Sequence, residues 1–366
     1  MKIPRAFRLL LALSLPGGAV LRAVNAPTNL DQDGDGKISR AEFTGRPEAF
    51  AKLDLNHDGF IDAQEGKGGA NSPKSERAPR TVAEVPADIQ MEGDIVYKTV
   101  ANEKLMLDLY RVKGRKYDKA PLVIWIHGGG YVKGSKAGAV KGNAEVLVPL
   151  LMKHGYLVAS LEYRLCSLNG AKITDCYADC MDAIRYLVQH RADYGIDPAR
   201  MITIGSSAGG GLALMMAFAG DAGLPGDPAL AGIPFRIHAA VSWFGVTDFN
   251  KTHKDFSQGD EKTMVLFDAS PEIAARQANQ VSPALYLPRH TEKFPILLVH
   301  GEKDPVVPFG QSVWMKAEAD RLGWPVEFMP IQNMRHGFQP AGGGPITPPL
   351  AAIWRRTVEF ILTNNQ

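Results

Sequence analysis

One stretch constrains this chain more than any other: Met201-Ile202-Thr203-Ile204, then Gly205-Ser206-Ser207-Ala208-Gly209, then the Gly/Ala/Leu/Met run from Gly210 to Phe218. A β-branched run enters the pentapeptide and a helix-forming run leaves it, so strand, sharp turn and helix follow within a few residues. A turn this tight forces a strained backbone on its central residue and brings neighbouring backbone close, so side chains beside it would clash. Glycine stands at both flanks, and Ser207 at the centre is a candidate nucleophile standing above a sheet edge. A chain with 37 glycines can produce such a pentapeptide by accident, so other segments decide its meaning.

Upstream, the apolar run Leu122 to Ile126 leads into His127-Gly128-Gly129-Gly130-Tyr131. Three glycines after a strand form a loop whose N–H groups can turn inward. Gly129 and Gly130 are therefore candidate donors to an oxyanion, with the N–H of Ala208, the residue after the serine, as the third. Downstream, Pro295 to His300 reads as a strand that empties into Gly301-Glu302-Lys303-Asp304-Pro305, placing carboxylates on a loop at a strand's carboxyl end. A further strand, Val326 to Ile331, precedes the loop that carries His336, the candidate general base. The order serine, acid, histidine is that of an α/β hydrolase. Glu302 and Asp304 lie two residues apart and would point the same way on an extended segment, so spacing leaves the acid open between them. His127 and His300 precede the loop positions that a base needs and read as structural.

Across residues 91–366 the chain resembles α/β-hydrolase esterases of the hormone-sensitive-lipase-like and BD-FAE (acetyl and feruloyl esterase) type. The likeness rests on Val123 to Tyr131 with Gly134-Ser135-Lys136, Glu162-Tyr163-Arg164-Leu165, Tyr194 to Arg200, Gly205 to Gly209, His300 to Pro308 and His336-Gly337-Phe338. It implies that Asp304 is the acid of a Ser207-Asp304-His336 triad, and that no cofactor is needed for catalysis. Val246 stands where a proline is common in such enzymes, in a loop that the resemblance places at the acyl pocket. A serine peptidase like prolyl oligopeptidase, a lipase, and a calcium-dependent docking protein with an inactive hydrolase fold are the alternative readings. No long β-propeller region accompanies the triad, and all of its parts are present.

Near the other end, Asp31-Gln32-Asp33-Gly34-Asp35-Gly36-Lys37-Ile38-Ser39-Arg40-Ala41-Glu42 fits a twelve-residue EF-hand loop. Asp54 to Glu65 repeats it. Ligand positions fall on Asp31, Asp33, Asp35, Lys37, Ser39 and Glu42 in the first loop, and on Asp54, Asn56, Asp58, Phe60, Asp62 and Glu65 in the second. Lys37 and Phe60 stand where the loop binds through a main-chain carbonyl, and Ile38 and Ile61 where two loops make a short β contact. Two structural Ca2+ sites are expected. The loops start 23 residues apart, and Gly45 and Pro47 limit any helix between them. This compact pair resembles the dockerin-type repeats attached to secreted bacterial enzymes, which implies a structural or tethering role and a cell-surface or scaffold partner.

Lys2, Arg5 and Arg8 precede an apolar run, Leu9 to Leu15, too short to span a bilayer and flanked like a secretory signal peptide. Cleavage after Ala26 is expected; Pro27 would hinder it, so Ala19 and Ala23 stay open. Removal of Lys2, Arg5, Arg8 and Arg22 turns the net charge from +2 to −2, which gives no reason to invoke nucleic acid. A secreted or periplasmic protein with no membrane span is expected. Cys166, Cys176 and Cys180 are the only cysteines, and an oxidising compartment would permit one bridge, from Cys166 to either partner, or three buried thiols.

The expected organisation is a signal peptide (1–26), a tandem EF-hand module (27–66), a linker rich in breakers (67–90) and a catalytic domain (91–366). Strands are predicted near 95–100, 104–111, 121–127, 157–161, 200–204, 238–243, 295–300 and 326–331. Helices are predicted near 145–154, 175–190, 208–219, 312–322 and 350–362. Such alternation implies the α/β class, with a doubly wound, mostly parallel sheet. Phe249 to Ser282 is the least periodic segment, either a cap over the site or a surface excursion.

Overall fold

The structure, a computed structural model, describes residues 37–42, 58–62, 88–140, 144–167, 170–218, 223–224, 226–251, 265–268 and 270–365. The chain divides into two compact units, Met1–Val82 and Ala83–Gln366.

In the first unit, β1 (Lys37–Ser39) and β2 (Phe60–Asp62) pair antiparallel, with Ile38 opposite Ile61. The short contact expected between the two loops is thus a three-residue ribbon. Glu42 turns back on β1: its Oε2 accepts from the Ser39 N–H at 2.7 Å while Ser39 Oγ accepts from the Glu42 N–H at 3.4 Å. This reciprocal pair is the capping arrangement that a Ser-x-x-Glu sequence favours. Asp31, Asp33, Asp35, Asp54, Asn56 and Glu65 lie outside the described residues.

In the second unit one eight-stranded sheet runs β10-β9-β8-β7-β5-β6-β4-β3. Its strands are β3 (Ile89–Val100), β4 (Glu103–Val112), β5 (Ala120–Ile126), β6 (Leu157–Leu161), β7 (Ile196–Ser206), β8 (Ala239–Trp243), β9 (Ile296–Gly301) and β10 (Val326–Ile331). Only the β3–β4 and β4–β6 pairings are antiparallel. All eight predicted strands form, several of them longer than expected at one end or both. Strands β6, β8 and β9 are buried along their whole length because helices cover both faces, which is what a parallel sheet requires.

The pleat divides the core. Leu122, Ile124 and Ile126 of β5 face one cluster, where α2 (Ile173–Gln189), α3 (Ala208–Ala217), α4 (Pro271–Gln280) and α5 (Gly310–Leu322) contribute. Val123 and Trp125 face the other, with α1 (Leu147–Lys153) and α6 (Leu350–Thr363). Each buried Leu or Ile contributes about 1.5–3 kcal/mol, so both faces are strongly held. Helix α4 falls in the segment read as aperiodic. It starts at a proline and buries only Ala274 and Ala278, too small a stripe to register as a period.

All three cysteines are buried thiols. Cys166 Sγ lies 3.4 Å from Cys176 Sγ, so of the two pairings left open it is this one that the fold brings together. Burial pushes the Cys176 and Cys180 thiols well above their ordinary range, which leaves them unreactive.

Candidate active site

Strand β7 ends at Ser206 and α3 begins at Ala208, so Ser207 alone makes the turn, at φ 54° and ψ −123°. Two residues to either side of it no side chain is tolerated. A Cβ on Gly205 would lie 2.2 Å from the Gly209 carbonyl oxygen, and one on Gly209 would lie 2.1 Å from that of Ile126. The strained serine is fixed from below, where its N–H donates to Trp243 O at 2.8 Å. Gly210 and Gly211 let α3 approach the loop after β8: a Cβ on either would meet Ser242 Oγ at 2.7 Å or Val246 O at 2.9 Å. Helix-weakening glycines are retained here for close packing.

His336 stands at the tip of a ribbon in which β11 (Met334–Arg335) pairs with β12 (Gln339–Pro340). Gly337 and Phe338 both take positive φ, which turns the chain back within three residues. Phe244 packs edge-on to the His336 ring at 4.8 Å between centroids, and Phe338 joins Trp243 and Trp354 beneath. From this base His336 Nε2 reaches Ser207 Oγ at 2.9 Å and Nδ1 reaches Asp304 Oδ2 at 2.7 Å. A carboxylate only accepts, so Nδ1 carries the proton and Nε2 is free to accept from the serine hydroxyl.

Asp304 follows β9 and is buried. Its Oδ1 accepts from the N–H groups of Val306 and Val307 at 2.8 and 3.0 Å. Burial works against its charge, but hydrogen bonds from His300, His336 and the Val306 N–H outweigh burial and hold the carboxyl well below the usual carboxylate range. Glu302, the rival on the same loop, is exposed. Its backbone has a different use, its N–H donating to Ile331 O at 3.0 Å.

The glycine loop leans on the elbow. A Cβ on Gly128 would sit 2.6 Å from Ser206 O and 3.2 Å from Ser207 Cβ. Gly129 and Gly130 take φ of 123° and 63°, which an L side chain rarely adopts. The N–H groups of Val132 and Lys133 close the loop by donating to Gly129 O at 3.2 and 3.1 Å. His127 is a lead-in: Tyr163 stacks on its ring at 4.3 Å and donates to its carbonyl at 2.9 Å.

From the sequence His300 reads as a structural strand-end residue, and the structure adds a contact with the acid. It is fully buried, with Nε2 3.0 Å from Val307 O and 3.4 Å from Asp304 Oδ2, and Nδ1 2.8 Å from Ser312 Oγ. Two acceptors face Nε2, so the proton resides there, and Ser312 donates to Nδ1. Asp304 therefore touches two histidines, one from its own strand and one from the β11–β12 ribbon. The signal available in the sequence was His300 four residues before Asp304 with a tight turn between them.

A serine, an imidazole and a buried carboxylate in one hydrogen-bonded line, at the carboxyl edge of a doubly wound sheet, define an α/β hydrolase. Residues 107–318, more than half of the chain, match the BD-FAE family, and the chain belongs to it. Residues 29–44 and 48–65 match the EF hand. The chain is similar to esterase LipQ of Mycobacterium tuberculosis, 28% identical over 67% of this chain and 57% of LipQ. It is also similar to the probable carboxylic ester hydrolase LipM of the same organism, 23% identical over 82% of this chain and 67% of LipM. The chain thus spans little more than half the length of LipQ. Among solved structures, esterase 2 of Thermogutta terrifontis superposes with a TM-score of 0.61 at 24% identity, over 76% of this chain and 94% of that one. The same enzyme phosphonylated by cyclosarin superposes with a TM-score of 0.58 at 25% identity, over 73% and 92%.

Proposed function

We propose that this chain is a secreted serine carboxylesterase that releases short or aryl acyl groups, acetyl or feruloyl, from polysaccharide. The unbroken relay Asp304-His336-Ser207 beside the glycine loop carries the reading. Serine hydroxyl is a poor nucleophile at its own pKa, so His336 Nε2 takes its proton as Oγ attacks the ester carbonyl, and later gives it to the leaving alcohol. Asp304 stays ionised and fixes the tautomer, supporting the imidazolium that forms. The N–H groups of Gly129, Gly130 and Ala208 hold the tetrahedral oxyanion, each such donor contributing about 3 kcal/mol in the transition state. Water then attacks the acyl-serine through the same histidine.

LipQ and LipM are described as an esterase and a probable carboxylic ester hydrolase, which supports the bond cleaved. Substrate size and sugar linkage rest on the family and on the leader sequence. Calcium belongs to the first unit. The β1–β2 ribbon joins the two acidic loops at Ile38 and Ile61, and the Glu42 carboxylate is folded back against Ser39, so hard oxygen donors and loop pairing fit Ca2+. Asp31, Asp33, Asp35, Ser39 and Glu42, with the Lys37 carbonyl, would hold one ion. Asp54, Asn56, Asp58, Asp62 and Glu65, with the Phe60 carbonyl, would hold the other. The ions would brace these loops, and no catalytic step needs them.

A panel of nitrophenyl acetate, butyrate, laurate and palmitate, acetylated xylan, feruloylated arabinoxylan and peptides tests the reading. Each methylene that a slot cannot hold costs about 1–3 kcal/mol, so kcat/KM should fall steeply beyond butyrate, with acetate or ferulate released from polysaccharide. A kcat/KM that peaks at long acyl chains and rises at an oil–water interface would make the protein a lipase. Peptide cleavage without ester preference would make it a peptidase.

A further inference from the structure

Strand β6 ends at Leu161, and the residues after it grip the glycine loop at both of its ends. At the entry, the Tyr163 hydroxyl donates to the His127 carbonyl at 2.9 Å, and the two rings stack at 4.3 Å with 11° between their planes. At the exit, the Cys166 N–H donates to the Tyr131 carbonyl at 2.8 Å. The gripping segment is itself anchored. Arg164 donates to the buried Asp179 of α2 from its N–H, Nε and Nη2, at 3.1, 2.8 and 2.9 Å, and Asp179 also pairs with Lys98 at 2.9 Å. A guanidinium forked onto a buried carboxylate has little freedom to shift. Tyr163 is buried as well, and burial pushes its hydroxyl well above its ordinary range, so it remains a donor.

A trans peptide is planar, with its C=O and N–H pointing opposite ways, so a carbonyl that is held fixes the direction of the next residue's N–H. Both carbonyls that matter here are held. Gly128 O lies 2.8 Å from His127 Nδ1; a carbonyl only accepts, so Nδ1 carries the proton and donates it. Glycine at 134 leaves room for this bond, since a Cβ there would lie 2.3 Å from that Nδ1 and 2.4 Å from that oxygen. Gly129 O accepts from the N–H groups of Val132 and Lys133. The first bond aims the Gly129 N–H, and the second aims the Gly130 N–H. Among the described residues these two N–H groups donate to no protein acceptor, so the loop satisfies its carbonyls and leaves its donors open. The Gly130 N–H is aimed by backbone alone. The Gly129 N–H is aimed by a side chain, His127, whose ring and carbonyl are both set by Tyr163.

We propose that Tyr163 is a positioning residue for the transition state, acting through His127 on the direction of the Gly129 N–H. Its hydroxyl is engaged by the His127 carbonyl, so its effect reaches the ester only through the loop. The inference rests on the oxyanion role given to that loop above.

Nitrophenyl acetate and its thionoacetate counterpart, in which sulfur replaces the carbonyl oxygen, test it. Sulfur is the poorer acceptor and gains less from aimed donors, so the ratio of oxo to thiono kcat/KM reads the loop directly. The full chain is used, with kcat counted per serine titrated by a phosphonate, so that only folded sites are compared. Tyr163→Phe should lower kcat for the oxo ester about tenfold with KM within about twofold, and lower the ratio about fivefold. His127→Leu removes the donor to Gly128 O and should cost about 100-fold in kcat. His127→Asn keeps an N–H near the position of Nδ1 and should recover about tenfold of that loss. Tyr163→Phe, which retains the ring stack, stays decisive if His127→Leu does not fold. A parent ratio no greater than that of hydroxide in water would show that the loop is not an oxyanion hole, and the role of Tyr163 would fall with it. A raised parent ratio that Tyr163→Phe leaves unchanged, or a change confined to KM or to thermal stability, would overturn the role of Tyr163 and leave the loop standing.

Discussion

At the carboxyl edge of the sheet both oxygens of Asp304 are occupied, by the Val306 and Val307 N–H groups and by His336, with His300 within reach. At the opposite edge Arg115, Lys116 and Lys119 are exposed around a cavity whose lining includes the Asp118 carboxylate, and Asn365 Oδ1 is buried without a donor. Both edges belong to the one sheet, and strands β5 and β7 reach from one to the other. The difference lies in where polar groups find their partners. Internal saturation fixes a charge so that chemistry can be aimed, as at Asp304. Exposed charges at a rim, as at Arg115, Lys116 and Lys119, are left to water and salt.

If the carboxyl edge is the saturated one, the heaviest losses come from breaking its relay. Ser207→Ala should lower kcat for nitrophenyl acetate by about 10⁵–10⁶-fold, while Ser206→Ala stays near the parent. A phosphonate should label Ser207 alone, read by mass spectrometry; an adduct on Ser206 would show that the elbow is misassigned. Next comes the acid: Asp304→Asn should cost about 10⁴-fold in kcat through the wrong tautomer, and Glu302→Gln, on an exposed side chain, should leave kcat unchanged. Equal damage from both would place the acid elsewhere.

The second histidine sharpens the comparison. His300→Phe removes one donor from Asp304, so kcat should fall about tenfold with KM unchanged, and Ser312→Ala should fall in the same direction by less. A change confined to KM would show that His300 does not act through the acid. Stability follows the same carboxylate. Its folded pKa is depressed, so its contribution is present above the unfolded value of about 3.9 and is lost as pH falls through the folded one. Melts between pH 5 and pH 2 should therefore fall more steeply for the parent than for Asp304→Asn.

The smallest effect is expected from calcium. Asp31→Ala with Asp54→Ala should abolish the heat of Ca2+ binding and spare kcat. A large loss of turnover in the folded double variant would couple the loops to catalysis.

Much of this was legible because the residues that carry it are local. Runs such as Leu122 to Ile126 and Ile296 to Val299 announce buried parallel strands, and a serine between two glycines announces the elbow. The choice of Asp304 over Glu302 was not local. It depends on the turn that folds the Asp304 carboxylate onto two N–H groups of its own loop, while Glu302 is left facing solvent. His300 reads as structural in the sequence, and its reach to Asp304 was hidden because its partners, Ser312 and the Val307 carbonyl, gather only when α5 packs beside β9. Helix α4 was hidden by its small apolar stripe. The cationic cavity draws on residues from 115 to 365, so no window of sequence contains it.

The relay joins residues 129 positions apart, Ser207 and His336. A ribosome adding about 5–20 residues per second emits the serine roughly 6–26 s before the histidine. In that interval the elbow can form on β5, β7 and β8, but its hydroxyl has no base. Each newly made copy therefore passes through a period in which Ser207 stands without its histidine partner. The Lys303 N–H donating to Met334 O at 3.1 Å, and Gly301 pressed against the same carbonyl, bring the acid and base loops together only after the chain has grown past residue 334. The hydrogen-bonded line from Asp304 to Ser207 thus closes late in synthesis, when most of the sheet is already available to hold the strain at Ser207.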